Sequence, residues 1–257
     1  MFDYSAALMK GVPASYARAH GEPDDPIDLD RALRQHSTYR GVLESLGLSV
    51  TVLAASNDQP DSVFIEDPVL VCDDRALITR PVPRRGRETR EVEDCLEQTH
   101  ELERIEAPAR LEGGDVVHTA RETFVGLSRR TNEAGARQLQ AFLAPEGRAV
   151  RPVEIETGRY LHLKSGASYL GDGVILAAPG IVDRSAFGGY EVVRVPEPEW
   201  NAANALRIGD TVIVPAGRPR AAATIEEQLP AAVELRAVDI SEFEKGGGAL
   251  SCLSVLW

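Results

Sequence analysis

Apolar residues in this chain gather into short runs that come in pairs, each pair broken by a polar or glycine-containing turn. The first pair is VFIEDPVLVCDDRALITR, Val63 to Arg80, with Asp73-Asp74 at its middle. RLEGGDVVHTARETFVGL, Arg110 to Leu127, turns near Ala120-Arg121-Glu122, and YLHLKSGASYLGDGVILAA, Tyr160 to Ala178, turns at Gly171-Asp172-Gly173. ANALRIGDTVIVPAG, Ala203 to Gly217, turns at Gly209-Asp210. Runs of this length bounded by such residues predict β-hairpins. A fifth run, GALSCLSVLW, ends the sequence without a second strand, and YSAALMK, Tyr4 to Lys10, is its expected partner across the termini.

Between the pairs the apolar period lengthens to that of a helix. Asp28 to Leu46 carries Leu29, Leu33, Tyr39, Val42, Leu43 and Leu46 at helical spacing, with Gly47 as the stop. Arg87 to Arg104 places Val92, Leu96 and Leu102 on a charged background. Thr131 or Asn132 can cap a helix bearing Ala136, Leu139 and Phe142, and Thr224 can cap a shorter one, IEEQL. Strands alternating with helices define an α/β chain. No linker or shift in composition divides it, so residues 1–257 read as one domain.

The repeat carries a chemical signal. Glu66-Asp67, Glu112, His162, Asn204 and Cys252 occupy comparable places in successive units, at steps of 46, 50, 42 and 48 residues from Glu66 onward. Each step is the length of a hairpin plus a helix and its loops. If equivalent strand ends converge on an axis, carboxylates, an imidazole, an amide and a thiol meet at one hub. Loosely similar strands can also be aligned by chance so that polar residues coincide, and only geometry separates the two.

Composition narrows the chemistry. With 40 acidic against 28 basic residues the formal net charge is -12, which disfavours nucleic acid as a partner. No apolar run approaches the roughly 18 residues needed to span a bilayer, and the first residues lack a signal-peptide core. The three cysteines, Cys72, Cys95 and Cys252, are odd in number and widely spaced, unlike a disulfide framework or a zinc site. A soluble protein of a reducing compartment, the cytoplasm, is the expectation. Cys72 and Cys95 read as small packing residues.

A thiol beside an imidazole can attack an electron-poor carbon, and the imidazole can then protonate the leaving group. His162 is the histidine flanked by strand-like apolar residues. His20, His36, His100 and His118 lie in polar or helical surroundings and read as surface or packing residues. Glu112 can hold the imidazole and raise its pKa. Buried acids such as Glu66 and Asp67 need a cation, and a planar guanidinium fits two carboxylate oxygens through a fork of N–H groups. The arginine-rich segments RPVPRRGR and SRRTN can either pair with a substrate carboxylate or lie solvated.

The segments PDSVFIED, ITRP, LEGGDV, FVGLSRRTN, LHLKS and SCLSV resemble those of the dimethylarginine dimethylaminohydrolases, within the guanidino-modifying (pentein) superfamily, over nearly the whole chain. The resemblance implies a five-bladed α/β propeller of ββαβ units and hydrolysis of methylated arginine to citrulline and a methylated amine. It implies no cofactor, no catalytic metal, a small guanidino substrate as the only partner, and a monomer or homodimer. It makes Cys252 the nucleophile, His162 the general acid/base and Glu112 its supporting carboxylate. Asp61, Glu66 and Asp67 become substrate contacts, with Asp67 facing the guanidinium. Arg130 becomes a carboxylate ligand, with Arg85 the second and Arg87 its alternative. Val12 falls on an apolar flap, and Gly246 would offer its carbonyl to the α-amino group. One departure stands out: Gly247 lies five positions before the cysteine, where the family usually has an acid. Arginine itself or another modified guanidine is therefore an alternative substrate, and an amidinotransferase a more distant one.

Overall fold

The computed structural model describes residues 2–19, 25–183 and 185–257. Its first unit contains strand β1 (Ala6–Lys10), helix α1 (Leu29–Ser45) and β2 (Ser49–Leu53). The second has β3 (Val69–Cys72), β4 (Arg75–Ile78), α2 (Glu88–Leu96) and β5 (Glu101–Arg104). The third repeats this with β6 (Val116–His118), β7 (Glu122–Leu127), α3 (Glu133–Leu143) and β8 (Ala149–Glu154). The fourth has β9 (Ala167–Gly171), β10 (Val174–Ala177) and β11 (Glu191–Arg194). The fifth has β12 (Leu206–Ile208), β13 (Thr211–Pro215), α4 (Pro219–Glu226) and β14 (Glu234–Val238). After it come α5 (Ser241–Lys245) and β15 (Val255–Leu256).

These strands form five three-stranded sheets of one design. A central strand pairs antiparallel with an inner strand and parallel with an outer one. The inner pair needs only a hairpin, whereas the parallel partner requires a crossover; α1 to α4 lie in four of these, while the fourth unit departs from the expected ββαβ plan, with no helix among the described residues between β10 and β11. Asp73 (φ 53°), Asp172 (φ 51°) and Gly209 (φ 53°) take the left-handed backbone that such turns demand. The expected closure across the termini is present: β1 pairs antiparallel with β15, Ala7 opposite Leu256 and Leu8 opposite Val255. All five inner strands line one central cavity of about 140 Å³. The molecule is a five-bladed α/β propeller.

The central strands are buried almost throughout, which explains their unbroken apolar runs, while the inner strands are buried in part. The helices cover the outside through one apolar stripe each. In α1 that stripe is Ala32, Gln35, His36, Tyr39, Val42 and Leu43, and the Asp28 carboxylate caps the helix by accepting the Arg31 amide at 3.0 Å. Asn132 likewise accepts the Gly135 amide at 2.9 Å and starts α3.

Three expectations need correction. Leu33 is 45 % exposed, because Gln35 and His36 take the inward positions that the apolar count assigned to it. The helix expected to run to Arg104 ends at Leu96, and Leu102 belongs to β5, paired with Ala76 of β4. Helix α4 begins at Pro219 rather than at Thr224. Proline suits a first turn because its missing N–H would have no partner there, and Thr224 sits inside the helix with its hydroxyl on the Arg220 carbonyl.

Candidate active site

In every unit a short 3-10 turn precedes the inner strand, and the polar residues singled out by the repeat lie in or beside these turns, with Glu66-Asp67 between the first of them and β3. The turns span Pro60–Val63, Gly113–Asp115, Leu163–Ser165, Glu197–Ala203 and Ser251–Leu253. Glu112 and His162 occupy the residue just before their turns, Asn204 the residue just after its turn, and Cys252 the middle of the last. Equivalent turns of a propeller point at one axis, so residues far apart in sequence become neighbours.

His162 Nε2 lies 2.7 Å from Glu112 Oε2 and 3.7 Å from Asp67 Oδ1. Burial pulls the imidazole down, but Asp67, Asp115 and Glu112 together push it up to about 9. Burial also pushes Glu112 up, yet the hydrogen bond and charge of His162, the Val82 amide and the Arg130 guanidinium bring it down to about 2. Near neutral pH the two form an ion pair, with Glu112 fully buried.

Cys252 joins this group through the acids. Its carbonyl accepts the Glu66 amide at 3.3 Å, and the neighbouring Ser251 hydroxyl donates to Glu66 Oε2 at 2.9 Å. Burial first, then the charges of Glu66 and Asp67, push the thiol well above its ordinary value, against the Ala249 backbone and Arg85. The thiol is therefore protonated until something offsets those two carboxylates.

The glycines of LEGGDV are there for space. A Cβ on Gly113 would fall 2.1 Å from the Glu66 carbonyl oxygen, and one on Gly114 would fall 2.7 Å from His162 Nδ1 and 2.9 Å from Asp67 Oδ1. The Gly114 amide donates to that same Asp67 oxygen at 3.1 Å. The three glycines before the cysteine serve a related end. Gly246 abuts the Tyr16 hydroxyl, Gly248 abuts the Phe64 ring, and Gly247 takes φ +77°. At both of the close approaches the backbone meets an aromatic side chain.

Three contributors escaped sequence reading. Asp115 accepts the Leu163 amide at 3.0 Å and the Ser128 hydroxyl at 2.7 Å, tying the turn after His162 to the SRRT loop. Ser128 in turn accepts the Arg130 and Thr131 amides, at 2.9 and 3.1 Å. Lys164 pairs with Glu66 Oε1 at 2.7 Å. The signal was available, since Asp115, Ser128 and Lys164 lie inside the quoted motifs, but a buried support leaves no mark in sequence that separates it from a surface polar residue. Asn204, noted from the repeat, clamps the network: its amide bonds the Lys164 carbonyl and the Ser251 hydroxyl, and it accepts the Ser251 amide at 2.9 Å.

The remaining expected residues divide. Val12 is buried beyond β1, in the apolar cluster with Tyr16 and Phe64 against which Cys252 packs. Asp61 lies in the first 3-10 turn, and Gly246 closes α5 against Tyr16. Arg130 turns onto Glu112, with Nη1 at 3.1 and 3.3 Å from its two oxygens. Arg85 departs from the expectation of a ligand held out toward a substrate carboxylate. It is 5 % exposed and turned inward onto Asp67 and Glu88. Arg87 is exposed. Among the other histidines, His36 is buried beside Phe243, His100 packs edge-on to Trp257, His118 lines the central cavity, and His20 lies outside the described residues.

Asp67, Glu112 and His162 bring ligand-type atoms within 4.8 Å of one another. Two guanidiniums already pair with those carboxylates, however, and their positive charges oppose a divalent ion there. The cluster is an ion-pair network.

A thiol, an ion-paired imidazole and hydrogen-bonded carboxylates thus gather at the hub of a five-bladed α/β propeller, an arrangement suited to covalent chemistry on an electron-poor carbon. The family model described as N,N dimethylarginine dimethylhydrolase, eukaryotic, matches residues 15–255. The chain belongs to the dimethylarginine dimethylaminohydrolase family. It is 37% identical over 253 residues to the N(G),N(G)-dimethylarginine dimethylaminohydrolase of Pseudomonas aeruginosa, covering 97% of this chain and 94% of that one. With the protein of the same name from Streptomyces coelicolor it shares 34% identity, over 90% and 88% of the two chains. The Pseudomonas aeruginosa structure of a cysteine-to-serine mutant complexed with citrulline superposes with TM-score 0.92 at 33% identity over 100% of both chains. The N-terminal domain of a cyanobacterial arginine dihydrolase, ArgZ, shares the fold, with TM-score 0.84 at 19% identity over 98% and 97%. Among the described residues no helix is long and apolar enough to cross a membrane.

Proposed function

We propose that this protein hydrolyses Nω-methylated arginine to citrulline and dimethylamine or methylamine, with Cys252 as nucleophile, His162 as general acid and base, and Glu112 as its partner. The observation that carries the reading is the 2.7 Å contact between His162 and Glu112 inside a site whose thiol answers to Glu66 and Asp67. Burial and the Glu66 and Asp67 charges keep Cys252 protonated; a guanidinium bound to Asp67 offsets that charge beside the sulfur, so that the thiol gives its proton to solvent on substrate binding. The sulfur attacks the guanidinium carbon. The bond from that carbon to the methylated nitrogen breaks, and His162, charged before the reaction, gives the amine its proton. Water deprotonated by His162 then attacks the thiouronium carbon, the C–S bond breaks, and citrulline leaves with the thiol restored.

The chain is read as a single catalytic domain, working as a monomer or homodimer. Asp61 and the Gly246 carbonyl would meet the α-amino end and Arg130 the carboxylate, with Val12 above the substrate. No step draws on a cofactor. Incubation with asymmetric dimethylarginine and a colorimetric citrulline assay tests the reading; folded protein with an intact thiol and no citrulline would refute it.

A second reading is favoured by Gly247, where an added Cβ would meet nothing within 4 Å. No side chain contributes there, so arginine itself or a guanidine with a different substituent could be preferred. A panel of guanidines ranked by kcat/KM decides between the two, and an amidinotransferase would reveal itself by needing an amine acceptor.

A further inference from the structure

The mechanism leaves the buried guanidinium of Arg85 unused. Arg85 ends a short 3-10 turn, Pro83–Arg85, on the segment that leads from β4 into α2, and its guanidinium is enclosed by acids and carbonyls. Its Nε and Nη2 donate to Glu88 Oε2 at 2.9 and 2.6 Å, and Nη2 also reaches the Phe64 carbonyl at 2.8 Å. Its Nη1 pairs with Asp67 Oδ2. The other oxygen of Asp67 accepts the Gly114 amide at 3.1 Å and faces His162. The carboxylate is thus held from both sides, by a side chain from the second unit and a backbone amide from the third.

We propose that Arg85 is a positioning residue: anchored by Glu88, it fixes the plane of Asp67 so that the carboxylate's remaining lone pairs face an incoming guanidinium. This rests on the reading of Asp67 as the guanidinium receptor. A carboxylate offers about four lone-pair sites, and two are taken here. An unpinned aspartate can rotate about its last bond, and the two N–H groups of a guanidinium then no longer find both oxygens in line. A role in holding the substrate's α-carboxylate would require Arg85 to leave four acceptors, on Asp67, Glu88, Phe64 and Asp61, in a dry site, which is costly.

Two isosteric alkylating agents separate the alternatives. Chloroacetamidine is an amidinium cation and chloroacetamide its neutral counterpart; with either, the Cys252 sulfur displaces chloride and the thiol proton passes to solvent. Neither carries an α-carboxylate. The ratio of their inactivation rates, normalised to the same pair reacting with a small free thiol, reads how well Asp67 receives a planar cation. In Arg85→Lys, which keeps the charge but loses the fork, the ratio falls by about tenfold, the loss of one charge-assisted hydrogen bond. General loosening would slow both reagents alike and leave the ratio unmoved. Glu88→Gln, isosteric with the native side chain, gives a smaller fall in the same direction and serves if the lysine variant does not fold. An unchanged ratio in the folded variant, with a raised KM for dimethylarginine, overturns the proposal and returns Arg85 to the substrate carboxylate. Absence of citrulline from wild-type protein would instead defeat the underlying functional reading.

Discussion

At the residue scale the site is a contest between burial and charge, and each group's protonation follows from which wins. For Cys252 burial and two carboxylates act together, so the thiol stays protonated at rest. For His162 three acids outweigh burial. The His162–Glu112 pair therefore contributes to stability in a defined window. Glu112 is held near 2, below its ordinary 4.5, so its contribution is present above 4.5 and lost as pH falls through 2. His162 is held near 9, above its ordinary 6.5, so its contribution is present below 6.5 and lost as pH rises through 9. Glu112→Gln is accordingly predicted to cost most between pH 4.5 and 6.5, roughly 3 kcal/mol for a broken buried pair, with the cost shrinking toward pH 9. Urea denaturation of both proteins across that range measures it, and a pH-independent difference would contradict the pairing. The thiol and the imidazole were legible in the sequence because strand-like neighbours set them apart. The inward turn of Arg85 onto Asp67 and Glu88 was not legible, since an arginine-rich loop reads the same whether one guanidinium turns in or out.

Elements set the tolerances within which those residues meet. The turn between Glu112 and β6 passes so close to the second unit that neither of its glycines can carry a side chain. The two differ in what they would disturb. Gly113→Ala drives its methyl into the Glu66 carbonyl oxygen, a backbone atom, and is predicted to destabilise the fold by about 1–3 kcal/mol. For a chain of this size that lowers Tm by roughly 2–10 °C. Gly114→Ala meets the imidazole and Asp67 instead and is predicted to lose citrulline formation out of proportion to its loss of Tm. Calorimetry and the citrulline assay on both variants check the distinction; equal proportions would contradict it. The hairpins were legible because their turns require left-handed backbone that glycine and aspartate supply. Helix ends were less so. The charged stretch beyond Leu96 has no glycine or proline to stop the helical period, and β5 exists because β4 offers it an edge, a tertiary cause.

At the scale of the whole molecule, closure of the ring is what turns a scattered list of residues into a site. The last inner strand reaches its place only by pairing with the first strand of the chain, and the Trp257 carbonyl accepts the Ser5 and Ala6 amides at 2.8 and 3.0 Å. Deleting residues 255–257 leaves β1 with an open edge and Cys252 without the strand that follows it. Such a truncation is predicted to lose citrulline formation together with a drop in Tm, measurable by calorimetry; retained activity would contradict the structural role of closure. The five-fold repeat was legible from spacing alone, because one blade consumes a nearly constant length of chain. The inward direction of each turn was not, since it depends on the sheet twist that all five units share. The central claim, covalent catalysis at the hub, is tested most directly by intact-protein mass spectrometry of acid-quenched turnover with asymmetric dimethylarginine. The prediction is a species heavier than the free protein by the mass of substrate less dimethylamine, mapped to Cys252 and absent from Cys252→Ser. Citrulline formed by Cys252→Ser, or an adduct mapped elsewhere, would contradict it.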